Sequence, residues 1–176
     1  MKKIVLFAAL VGLLFTACKK KADDSNSQEL ITTVKLTFTD KTSGEIKSFQ
    51  WEDLDGDGSA SPVIDKIKLA ENRSFDVKIE FTDKSKTPIV NTTDEVFAER
   101  DVHLVTFKLT GSTLVFAYAD VDSNGKPVGL TDTATTGATS SGVLNLVLHH
   151  EPTSKDNLAD PGGETDVDVT FPVDIQ

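Results

Sequence analysis

The residues that could do chemistry are concentrated in two short acidic stretches. "WEDLDGDG" (51–58) and "YADVDSNG" (118–125) each open on an aromatic residue and then space oxygen side chains by twos ahead of a glycine. Asp53, Asp55, Asp57 and Gly58 fall at positions 1, 3, 5 and 6 of a calcium-loop pattern, as do Asp120, Asp122, Asn124 and Gly125. Alternate side chains in a tight loop can converge on one hard cation, and the glycine permits the turn. An EF-hand would place a glutamate at position 12, where this chain has Ile64 and Thr131, so neither stretch is an EF-hand. Asp65 and Asp132 come next, each twelve residues after the first aspartate of its loop, where a closing carboxylate could come from. Without a fixed bidentate acid, Ca²⁺ affinity is expected in the weak extracellular range, around 10⁻⁴ to 10⁻³ M. The competing reading is a pair of polar turns, since Asp, Asn and Gly also suit turns that hold no ion.

Three histidines offer a second chemistry. His103 shares parity with Val105, Phe107 and Leu109, and His150 with Leu144, Leu146 and Leu148. Each therefore sits in phase with a core face at a strand terminus. Antiparallel pairing of the two strands would bring these ends together. His103, His149 and His150, with Glu151 beside them, could then ligate Zn²⁺, Cu²⁺ or haem. Against this stands the plainer reading of histidines satisfied at the rim of a core. For catalysis the chain supplies no Gly-x-Ser-x-Gly elbow, no His-Glu-x-x-His pair and no cysteine nucleophile. A non-enzymatic protein is expected.

The start of the chain indicates where such residues would be displayed. Lys2 and Lys3 precede an unbroken apolar run, Ile4 to Phe15, too short for a span of about 20 residues. Residues 1–17 read as a secretory signal ending Phe15-Thr16-Ala17 before Cys18. Cys18 is the sole cysteine, so no internal disulfide can form, and lipidation accounts for a thiol in an exported chain. Acyl chains contribute about 0.8 kcal/mol per buried CH₂, so two or three hold a protein on a membrane. Residues 18–28, basic then acidic and otherwise Ser, Asn and Gln, read as a disordered tether. A basic-then-acidic segment at this place resembles the surface-export signals of Bacteroidota-type lipoproteins. An outer-membrane lipoprotein facing the periplasm or, preferably, the cell surface is the expectation.

The full chain has 18 basic and 28 acidic residues. Without Lys2 and Lys3 it stands at 16 against 28, a net charge of −12. That balance argues against nucleic acid, which needs clustered Lys and Arg. It suits cation binding and plain solubility alike.

The elements that must position these groups are strands. Thr32, Val34, Leu36 and Phe38 alternate with Thr33, Lys35 and Thr37, and Phe75, Val77, Ile79 and Phe81 repeat the pattern. Further alternation runs through 105–109, 114–118, 144–148 and 167–175, with shorter runs at 47–51 and 64–69. Residues 29–176 are expected to form one all-β domain, an immunoglobulin-like antiparallel β-sandwich of seven to nine strands. Gly111-Ser112 reads as a tight hairpin, and Pro172 as an edge or bulge position. Thr93 reads as the cap of a short helix over 95–100.

Taken in order, "ELITTVKLTFT", "DLDGDG", "DVDSNGKPVGL", the His-Glu-Pro after a Leu-rich strand and "GGETDVDVTFPVDIQ" resemble a known group. These are small Bacteroidota-type lipoproteins often labelled "type 1 periplasmic binding fold superfamily protein". The label implies two lobes of alternating strands and helices, whereas the periodicity here implies a sandwich, and the fold expectation follows the periodicity. The resemblance implies no activity. Members of the group often carry Arg before His-Glu-Pro, where this chain has His149. The functional expectation is a lipid-anchored binding or accessory module, braced by structural Ca²⁺, with an outer-membrane receptor or a surface glycan as partner. The alternative is a transition-metal or haem-capturing lipoprotein.

Overall fold

Alternation of apolar side chains builds two sheets that close over one core. The computed structural model describes residues 30–54 and 60–176, so Cys18, its leader and tether, Asp55 and Asp57 lie outside the described residues. The strands are β1 (Thr33–Asp40), β2 (Ile46–Glu52), β3 (Val63–Ile64), β4 (Ile67–Leu69), β5 (Ser74–Thr82), β6 (His103–Thr110), β7 (Val115–Tyr118), β8 (Thr131–Thr135), β9 (Ser140–His150) and β10 (Glu164–Ile175). One helix, α1 (Thr92–Ala98), follows β5. The larger sheet has the order β3-β2-β1-β5-β8-β7, and the smaller one β4-β10-β9-β6. Phe38, Ile79 and Phe81 from the first sheet are fully buried with Leu144, Leu146, Leu148 and Phe171 from the second. Burying each such side chain contributes roughly 1.5–3 kcal/mol, which is what fixes strand register against a one-residue slip.

The all-β architecture agrees with the periodicity, and the departures are local. Ten strands form among the described residues instead of seven to nine, because β8 forms outside the eight alternating runs and the run 64–69 breaks at Asp65-Lys66. Its first part joins β2 in the larger sheet; its second pairs with β10 in the smaller, in parallel. Gly111-Ser112 is not a hairpin. β6 ends one sheet and β7 ends the other, so this turn carries the chain across the open side of the sandwich. The crossing is close to β9: a Cβ on Gly142 would sit 2.2 Å from the Thr110 carbonyl oxygen. Only glycine lets the backbones approach so far.

Thr93 does not cap α1 either. Asn91 holds the cap position without a side-chain bond, while Thr93 Oγ1 accepts from Phe81 N at 2.8 Å and donates to Phe81 O at 3.0 Å. Its hydroxyl docks the helix on β5. Pro172 lies in a strand that is internal to its sheet, but β4 covers only Val173 to Ile175. The proline thus stands where, among the described residues, no strand pairs with that side of β10 to receive an N–H. The bulge of β10 falls elsewhere, between Thr165 and Val167.

Candidate functional site

The second acidic loop already holds a cation, and it belongs to the protein. Asp122 Oδ1 accepts the backbone N–H groups of Asn124 and Lys126 at 2.8 and 2.9 Å. Its Oδ2 accepts from the ammonium of Lys155 at 2.9 Å, both side chains being almost wholly buried. Burial works to raise the Asp122 pKa, yet the Lys126 amide, Lys155 and the Asn124 amide together hold it below the usual value. Asp120 accepts three backbone bonds, from Gly129 on Oδ1 and from Leu130 and Thr131 on Oδ2. These carboxylates organise the loop as Asx-type turns with an internal ion pair. Lys155 thus pairs with one of the carboxylates that the calcium expectation named as ligands.

Around that pair the surrounding loops are tied together. Lys155 also donates to the carbonyl of Arg100 at 2.5 Å, Ser123 N bonds Asp101, and Lys126 reaches both oxygens of Asp156 at 2.7 Å. The segment 151–163 between β9 and β10 is thereby fastened to the loop before β6 and to the loop after β7. In the first acidic loop, Asp65 Oδ2 accepts from the backbone N–H of Gln50 at 2.9 Å, and Asp53 N bonds the Thr32 carbonyl.

Asp132, singled out as a closing acid, is instead a core residue. It lies on the inner face of β8, fully buried, opposite Val77 on one side and Tyr118 on the other. Neither carboxyl oxygen has a hydrogen-bond partner among the described residues. Burial, with the Asp120 charge adding, pushes its pKa up to about 8. At neutral pH the group holds its proton, which avoids the cost of an isolated buried charge.

The histidines divide. His103 and His150 are directly opposed in the β6–β9 register, and their rings stack at 4.8 Å with an 8° interplanar angle. His149, next in sequence, points to the other face, with Nε2 3.0 Å from Thr106 Oγ1. The acid joining His103 and His150 is Glu99, from the end of α1, and not Glu151, which is exposed in a left-handed turn. Asp166 is the residue the sequence alone does not single out. Alternation would place it outward with Asp168, but the bulge turns it inward, and its side chain is 1% exposed, 3.7 Å from His103 Nε2.

The open side of the sandwich carries a concave surface. Phe107 of β6 and Phe116 of β7 stack across it at 4.4 Å, with Tyr118 5.7 Å from Phe107. The Tyr118 hydroxyl donates to the Val105 carbonyl at 2.7 Å, drawing the two sheet edges together. Two hollows adjoin here. One, of about 330 Å³, is walled by Leu109, Leu114, Val115 and these rings. The other, of about 630 Å³, runs over Thr106, Lys108, Asn145 and His149 to Asp160 and Pro161. Phe107 and Leu158 belong to both. Val105 N and O already bond Val128 and Tyr118 on the side away from β9, so by the two-residue period Phe107 and Leu109 direct their backbone groups to the same side. An apolar floor with a few convergent polar groups is the usual composition of a small-ligand site.

Compared with known proteins, the chain matches no family model, no curated protein and no solved structure.

Proposed function

We propose that this protein is a non-enzymatic, lipid-anchored binding module of the outer membrane, whose ligand occupies the groove between β6 and β7. The observation that carries the reading is the half-exposed Phe107–Phe116 stack beside a polar hollow, between the β6 and β7 edges that no described strand closes. Flat apolar rings next to Lys108, Asn145 and Asp160 suit a ligand that alternates C–H faces with hydroxyl groups. A neutral oligosaccharide has that chemistry, and the net charge of −10 disfavours an anionic one. A peptide strand fits less well. Val128 and Tyr118 cover the start of β6, leaving only its second half open to pairing.

The test is retardation of the purified protein in gels cast with neutral polysaccharides of defined linkage. Leu158 lies on a loop, is 44% exposed and borders both hollows, so Leu158→Asp should fold normally. We expect one polysaccharide to slow the parent, and Leu158→Asp to weaken that binding at least tenfold. Equal retardation of parent and variant would remove the groove from consideration. The anchor has its own test: Cys18→Ser should move the protein from the membrane fraction to the soluble one. Retention of the variant in membranes would contradict a lipid anchor at this position.

A further inference from the structure

At the β6–β9–β10 end of the sandwich, two titratable side chains, His103 and Asp166, are buried side by side. His103 Nδ1 lies 3.1 Å from the carbonyl oxygen of Glu99. A carbonyl only accepts, so Nδ1 carries the proton and Nε2 presents a lone pair. That lone pair faces Asp166, whose two oxygens are buried and have no hydrogen-bond partner among the described residues. Nε2 and Oδ2 are 3.7 Å apart, too far for a hydrogen bond. The two atoms thus face each other across a gap that a metal ion could enter.

We propose that Glu99, His103, His150 and Asp166 form a binding site for one divalent transition-metal ion of the Zn²⁺ class. With metal–ligand bonds of about 2.1 Å, a 3.7 Å separation subtends roughly 124° at the ion, about 15° wider than tetrahedral. His103 and Asp166 are thus a preformed pair of ligands. The carbonyl of Glu99 fixes the His103 tautomer, as outer-shell acceptors do for metal-bound imidazoles. His150 and the Glu99 carboxylate would complete the set: one ligand atom from each lies within 4.8 Å of the other and of a ring nitrogen of His103, a grouping that does not itself include Asp166. Both must move inward, since ligands of one ion are at most about 4.2 Å apart. A metal must also lie in the plane of each imidazole, so His150 has to turn out of its stack on His103. His150 is partly exposed and Glu99 is exposed, and both have room to do so. Two nitrogens and two carboxylates suit Zn²⁺ over softer Cu(I) or all-oxygen Ca²⁺. The ion would bridge β6, β9, β10 and α1 at the end of the sandwich. It lies apart from the β6–β7 groove, and neither proposal depends on the other.

The experiment is calorimetric titration of the purified protein with Zn²⁺, and with Co²⁺ as the spectroscopic probe. Three variants are compared: Asp166→Asn, His150→Gln and His149→Gln. The parent and His149→Gln should bind one equivalent, and Co²⁺ should give the visible absorption of a tetrahedral site. Asp166→Asn keeps the side-chain shape and removes a buried acid, so it should fold while losing at least tenfold in affinity. His150→Gln tests the ligand that must rotate and should lose as much. Absence of Zn²⁺ binding by the folded parent overturns the proposal. So does undiminished binding by Asp166→Asn, or loss confined to His149→Gln.

Discussion

Between about pH 5 and pH 9 the protein should lose about 4 kcal/mol of unfolding free energy that its Asp132→Asn variant does not lose. An unfolded aspartate titrates near 3.8, whereas burial raises the native Asp132 to about 8. The folded chain therefore holds a proton that the unfolded chain has released. Stability from this source is intact below the unfolded value, falls as pH rises, and is gone above the native one. Three pH units of that interval, at 1.36 kcal/mol each, give the figure. Asp120 adds its charge to the penalty, and the Tyr118 hydroxyl, itself pushed up chiefly by burial, stays neutral throughout. Asp166 is raised by burial and acts in the same direction, while burial lowers His103, which costs stability as pH falls below about 6.5. Both remain in the variant, so the difference between the two proteins isolates Asp132. Urea unfolding at pH 5, 7 and 9 measures it. Parallel pH profiles would mean that Asp132 is solvated and ionised in the folded protein.

Lys155→Met should destabilise the protein by about 3 kcal/mol and also weaken ligand binding in the groove. The cost comes from what is left behind. Asp122 remains buried with its two backbone bonds but without the ammonium 2.9 Å away, and the Arg100 carbonyl loses its donor. Removing one partner of a buried pair is far more damaging than replacing both. The double variant Lys155→Met/Asp122→Asn should therefore recover part of the loss, a coupling that thermal unfolding of the four proteins would quantify. The effect on binding follows from connectivity: Lys155 fastens segment 151–163, and Leu158 on that segment walls both hollows. Additive effects of the two substitutions would deny the pair its role. Addition of Ca²⁺ should not rescue Lys155→Met, because the Asp120 oxygens and Asp122 Oδ1 stay bound to backbone amides.

Strand faces were legible in the sequence because side-chain alternation and burial are the same fact seen twice. Phe75, Val77, Ile79 and Phe81, and Leu144, Leu146 and Leu148, lie in the core as their spacing requires. Which strands share a sheet was not legible. Gly111-Ser112 has the composition of a hairpin turn, yet β6 and β7 lie in different sheets, with Gly142 packed close against the crossing. The meeting of His103 and His150 followed from parity and antiparallel pairing. Their acids did not, because Asp166 is turned inward by one extra residue in β10 and Glu99 arrives from a helix end. The acidic loops show the limit most clearly. Spacing by twos before a glycine serves a cation and a turn equally, and Lys155, thirty-three residues beyond Asp122, decides what Asp122 binds.

The most direct measurement is an amide ¹H–¹⁵N titration of the protein with the oligosaccharide selected by gel retardation. Shifts should cluster on Phe107 to Leu109, Val115 to Tyr118 and Leu158, on both sheet edges at once. Shifts confined to the outer face of the β1–β2 region, or spread without a focus, would contradict a ligand site on the open side of the sandwich.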